Sequence, residues 1–370
     1  RDVAVTGVQT CALPISGDSI LIDSPVSKLI LPEGDIHLNV LFVLKENNSW
    51  AKAGFEVAYE QFELRKAKLP ATSITNKGQL IVSENNGILK VKGKNFSASW
   101  SLNTGHFISL KYGKSEMLVQ NAKDFERQPV AQFFRAPTDN DKGFGNWLAK
   151  DWKSEGIDSP RVTIDSVRHT MTGQGMVCMK VYQTNIYKSG KIATLLTYTA
   201  NADGQIDVMC RFLPSGNLPE LPRFGIAMAL NPALENYSWY GLGPSENYPD
   251  RKSAATTGLW ESTVTGQMVH YARPQENGNH GEIRWLALTD KNKYGIRIEA
   301  VENLFSATAI HYSVMDLYSE THDCNLVPRK EVILNIDCAV TGLGNSSCGP
   351  GVLKKFSIEN KEHILRFRIQ

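Results

Sequence analysis

The chain has 370 residues, with 40 Lys plus Arg against 38 Asp plus Glu, and is 42% hydrophobic and 9% aromatic. At roughly 150 residues per domain this is about two to three folded domains. A formal charge of +2 is too balanced for a phosphate-backbone binder, and no apolar run reaches the ~18 residues of a membrane helix, so neither nucleic acid nor membrane is expected as a partner. Six cysteines without a C-x-x-C pair read as free thiols rather than a zinc site or a disulfide framework.

Residues 1–16 (RDVAVTGVQTCALPIS) have neither the basic n-region nor the continuous apolar stretch of a signal peptide. Their VTGVQTCALPI string resembles the translation of a sequencing-adapter remnant, so 1–16 are set apart as a non-native segment. The compartment, cytoplasm or periplasm, is left open. From 36 to 44 the chain alternates, with Ile36, Leu38, Val40, Phe42 and Leu44 on one strand face, and 55–62 alternates as its antiparallel partner. Residues 68–73 (KLPATS) break the period and lead into a linker near residue 75.

Strand-like runs recur at 87–93, 97–102, 106–112, 177–187 and 192–199, and Asp203-Gly204 reads as a short hairpin turn into 205–210. Further strands are expected at 225–230, 283–289, 295–300, 332–337 and 365–369, with short helices only at 145–152 and 121–125. Many strands without intervening helices predict an all-β chain of antiparallel sandwiches.

The chemistry-bearing residues lie between these runs. QFFRAPTDNDKG places Arg135, Asp139, Asn140 and Asp141 around a proline turn, with Gly143 and Gly145 following. Asp-Asn-Asp resembles part of a calcium loop but lacks the glycine and distal Glu at their offsets; carboxylates that cap turns and pair with Arg135 are the competing reading. WYGLGPSENYPDR carries Glu246, Asn247, Tyr248, Asp250 and Arg251, a palette shared by sugar-binding surfaces and packed loop crossings. YARPQENGNH contributes Glu276 and Asn277, and GLGNSSCGPG contributes Cys348. His270, His280, His311 and His322 form no i, i+4 pair, which argues against a metal site, and nothing near Cys348 in sequence would activate a thiolate.

QFFRAPTDNDKG, WYGLGPSENYPDRK and YARPQENGN, in this order, closely resemble the small-chain region of glycoside hydrolase family 2 β-galactosidases. LNIDCAVTGLGNSSCGPG resembles the same region's C-terminal end, and LFVLKENNSWAKAGFEVAYEQFEL the sandwich before it. The resemblance implies the C-terminal part of an immunoglobulin-like sandwich over 17–72 and a large antiparallel supersandwich of the galactose mutarotase type over 77–370. It also implies an upstream catalytic eightfold barrel that carries both glutamates of a retaining glycosidase. No catalytic residue is therefore assigned to this chain, and no cofactor; any magnesium or sodium falls to the barrel.

What the resemblance assigns to the chain is substrate binding. A loop after the R-A-P-x-D-N-D motif maps to Gly143, Phe144, Asn146 and Trp147, and a sugar-stacking Trp of the family maps to Cys348, where this sequence departs from the pattern. Arg135, Asp139, Asn140, Asp141, Glu246, Asn247, Tyr248, Asp250, Arg251, Glu276, Asn277 and His322 are expected to structure the loops. The implied partners are a β-galactoside and the barrel, in cis or as a large chain in trans; a homo-oligomer is left open. The competing functions are a freestanding aldose-epimerase-like enzyme, with His270 or His280 paired to Glu276, and a carbohydrate-binding or assembly module.

Overall fold

A computed structural model describes residues 26, 30–71, 78–143, 148–172, 175–345 and 349–370. The segment read as non-native, 1–16, lies outside the described residues. The chain divides into two compact units, Arg1–Lys68 and Leu69–Gln370.

In the first unit, strands Ile36–Val43 and Glu56–Arg65 pair antiparallel with Leu38 opposite Phe62 and Leu41 opposite Tyr59. Asn47 and Asn48 close the connection: their side-chain carbonyls accept from the amides of Ala53, Trp50 and Ala51. Phe42 and Phe62 are half exposed on the face they share, as expected of a two-stranded sheet too small to bury a core.

The second unit holds three antiparallel sheets. Five consecutive strands from Ile81–Asn85 to Ser115–Glu116 form a meander. A nine-stranded sheet runs from the edge strand Thr256–Thr263 to the edge strand Arg161–Thr172. A five-stranded sheet is ordered His280–Ile283, Phe305–Ile310, Val332–Val340, Arg223–Leu230, Val130–Gln132. All three contribute to one continuous core, with Leu89 from the meander, Leu196 and Phe367 from the large sheet, and Phe224 and Ile336 from the third. Each such side chain contributes about 1.5–3 kcal/mol on burial. Every residue of Arg223–Leu230 is buried, as in a strand covered on both faces.

The all-β, antiparallel expectation is met, and the strands expected at 177–187, 192–199, 225–230, 332–337 and 365–369 form. Two expectations change. Residues 121–125 form turns, not a helix: Asn121 and Asp124 adopt φ of 57° and 70°, bending the chain so that Ala122 and Phe125 both point inward. The helix placed at 145–152 is described as Leu148–Glu155. The strands the pattern did not reveal include both edges of the nine-stranded sheet, where solvent dilutes the alternation.

Candidate functional site

The site grows from Arg135, which is fully buried. Its guanidinium forks onto Asp141, Nε to Oδ2 at 2.9 Å and Nη2 to Oδ1 at 2.7 Å, and donates to the carbonyls of Thr341 (2.9 Å) and Gly342 (3.1 Å). Asp141 in turn closes a capping box with Thr138 on the short helix Asp139–Lys142. A buried fork whose carboxylate also accepts from the Thr138 amide can retain its charges despite desolvation, and Asp141 holds the Arg135 guanidinium above its ordinary pKa against the lowering effect of burial. The acidic triplet therefore spends Asp141 on an arginine, which does not fit a calcium loop.

Asn140 and Asp250 hold the C-terminal motif. Asn140 Nδ2 donates to Leu343 O at 3.0 Å, and its Oδ1 accepts from Gly349 N at 2.9 Å. Asp250 accepts from the amides of Leu343 (2.9 Å) and Gly344 (2.8 Å). Glycine is required here: a Cβ on Gly342 would stand 2.4 Å from the Asp250 carboxylate, and Gly344 has φ +82°. The motifs containing Arg135, Asp250 and Gly342 thus meet at one rim.

Glu246 and Glu276 bring in the remaining motif. Glu246 accepts from Gly278 N at 2.8 Å and from the Tyr271 hydroxyl, and lies 3.8 Å from Arg251. Asn247 Oδ1 accepts from Gly281 N, and Asn277 Oδ1 from Val269 N, so both fix backbone. Glu276 accepts from Arg223 at 3.2 Å through Oε2, while Arg223 forks onto Asp337 at 3.0 and 2.6 Å. Oε1 of Glu276 and the Tyr248 hydroxyl are buried without a protein partner. Burial pushes the Glu276 carboxyl above its ordinary range, although Arg223 and Arg135 oppose this.

Between these groups lies a cleft of about 320 Å³ lined by Asp139, Arg251, Tyr271, Gln275, Glu276 and Gly344, among others. Its carboxylates, guanidinium and phenol suit a polar, hydroxyl-bearing ligand. Glu276 is tied to Arg223 and acts as an anchor.

Of the residues expected at the site, Gly143 is buried at the end of the short helix. Phe144, Asn146, Trp147 and Cys348 lie outside the described residues. Arg135, Asn140, Asp141, Glu246, Asn247, Tyr248, Asp250, Glu276 and Asn277 gather in and around the cleft network, with Asp139 and Arg251 on its lining. His322 is exposed at the start of a turn, 2.9 Å from the Thr321 hydroxyl, and no hydrogen bond of the described residues joins it to the cleft. Neither histidine of the epimerase reading pairs with Glu276: His270 meets Asp323 at 3.0 Å, and His280 meets Gln267 at 2.5 Å. Burial lowers His280 to about 4, leaving it neutral near pH 7. The Arg223–Asp337 pair was not anticipated; an arginine heading the apolar run FGIAMAL was the available signal.

This fold and its cleft define a supersandwich with a loop-built polar rim at the ends of its strands. The match to the β-galactosidase small chain model runs over residues 92–369, and the chain belongs to that family. Residues 5–65 match domain 4 of β-galactosidase. The β-galactosidase of Priestia megaterium is 30% identical over 336 residues, 90% of this chain and 31% of the relative. That of Lactobacillus delbrueckii subsp. bulgaricus is 29% identical over 357 residues, 96% and 34% respectively. The chain thus spans about a third of the length of these curated relatives. Among solved structures, a galactose 1-epimerase from Lactobacillus acidophilus NCFM is similar with TM-score 0.37 and 8% identity over 80% of this chain and 98% of that one.

Proposed function

We propose that this chain is the C-terminal region of an enzyme that hydrolyses β-galactosides, completing a substrate pocket whose catalytic carboxyl pair sits on a barrel supplied in cis or as a large chain in trans. The observation that carries this reading is the shared anchoring of the family-matched loops by Arg135, Asn140 and Asp250 at the rim of the cleft. Phe144, Asn146, Trp147 and Cys348 are the substrate-binding residues on this reading. Magnesium and sodium belong to the barrel.

The test is a chimera in which this chain replaces the C-terminal third of the Priestia megaterium β-galactosidase. Hydrolysis of a nitrophenyl β-galactoside is expected, and Cys348→Trp should lower KM by about fivefold, since a ring face adds ~1 kcal/mol to ground-state and transition-state binding alike. A folded chimera without turnover would contradict the proposal.

A further inference from the structure

The arginines in and under the cleft are not used alike. Arg135 makes four hydrogen bonds and Arg223 three, all to protein groups, and both are buried. Arg251 differs: its side chain is 48% exposed and lines the cleft. Glu246 lies 3.8 Å from it, beyond hydrogen-bond reach. The Tyr271 hydroxyl, which also faces it, can satisfy one of its five N–H groups.

Tyr271 is itself fixed. Its hydroxyl donates to Glu246, and Glu246 is held by the Gly278 amide at 2.8 Å, so the phenol proton is committed and the oxygen keeps a lone pair for Arg251. A guanidinium braced in this way, with donors left over beside a cleft, is preorganised to recognise oxygen acceptors.

The rest of the lining selects which acceptors these are. Gln275 spends its side-chain carbonyl on the Asp139 amide at 3.2 Å, which leaves its NH2 as a further donor, and the Asp139 carboxylate accepts no hydrogen bond among the described residues. The open groups are thus donors at Arg251 and Gln275 and an acceptor at Asp139, with one charge of each sign. An anion would meet Asp139 and a cation would meet Arg251, whereas a neutral hydroxyl both donates and accepts. About 150 Å³ takes benzene, so the cleft's 320 Å³ or so has room for one sugar-sized ring.

The geometry points to Arg251 as the residue of this cleft that recognises a neutral, polyhydroxylated ligand, by donating to its hydroxyl oxygens. On the proposed function Arg251 is then a specificity-determining residue for the substrate, and that assignment rests on the catalytic reading above.

The test titrates the full chain separately with D-glucose and D-galactose, and with D-glucuronate and D-galacturonate, the same rings carrying a carboxylate, following the arginine Nε–H signals by NMR. Saturable binding of at least one neutral ring is expected, with Kd on the order of 10 mM, and its acid form should bind at least about fivefold more weakly. Arg251→Met should weaken binding by about tenfold, and Arg251→Lys, which keeps the charge without the fork, should fall between. Arg211→Met, in an ion pair with Glu362 outside the cleft, should leave it unchanged. Should Arg251→Met fail to fold, Arg251→Lys decides alone. The proposal is overturned if neither neutral ring saturates by about 100 mM, if binding is undiminished in the Arg251 variants, if the acid form binds as tightly, or if Arg211→Met abolishes binding. Binding by the chain beside a folded but inactive chimera would contradict the catalytic reading alone; an active chimera beside a chain that binds neither neutral ring would contradict this proposal alone.

Discussion

Arg135 and Arg223 place two guanidinium groups in the interior beside Asp141, Asp337 and Glu276. Charges this deep are costly, and removing one partner is worse than keeping both. Arg135→Met should therefore lower stability by about 3–5 kcal/mol in urea unfolding, because Asp141 is left buried and unpaired. Arg135→Lys keeps the charge without the fork and should fall between wild type and Met; equal stability of all three would show the pair to be dispensable.

Glu276 gives a pH signature. Its carboxyl is raised by burial, so the native state binds its proton more tightly than the unfolded chain does. The stability it contributes is present below the ordinary glutamate range and lost as pH rises through the raised value. Glu276→Gln should accordingly gain on wild type as pH goes from about 4 to about 7, read as the difference in melting temperature. Parallel curves would contradict this. The Arg135–Asp141 pairing was legible because the partners share one short motif, whereas Arg223 and Asp337 come from different strands and meet only through pairing of Arg223–Leu230 with Val332–Val340.

At the scale of elements, the C-terminal motif is suspended by side chains rather than paired as a strand past Val340. Asp250→Ala would free the amides of Leu343 and Gly344, so their hydrogen exchange should accelerate by about tenfold or more, with small change at the core strand Arg223–Leu230. Unchanged exchange would mean that Asp250 does not hold the segment. Central strands were legible from alternation and apolar runs. The edge strand Arg161–Thr172 was not, because RVTIDSVRHTMT mixes polar residues onto both faces. The turn at 121–125 misled because Ala122 and Phe125 have helical spacing, while their neighbours Asn121 and Asp124 favour positive φ. Most cleft residues were legible from the motifs; His322 lies in an exposed turn, and no hydrogen bond of the described residues joins it to the cleft.

At the scale of the whole molecule, the cleft gathers carboxylates that are already engaged: Asp141 by Arg135, Glu276 by Arg223, Glu246 by Tyr271 and the Gly278 amide. A retaining glycosidase needs two carboxyl groups about 5 Å apart, one to attack the anomeric carbon and one to act first as acid and then as base. On the proposed function such a pair comes from a catalytic region outside this cleft. The most direct measurement compares nitrophenyl β-galactoside hydrolysis by the purified chain, by the catalytic region of a relative lacking its C-terminal third, and by the two combined or fused. No turnover by the chain alone and turnover on combination is the expected result. Turnover by the chain alone, or a folded combination that stays inactive, would contradict it.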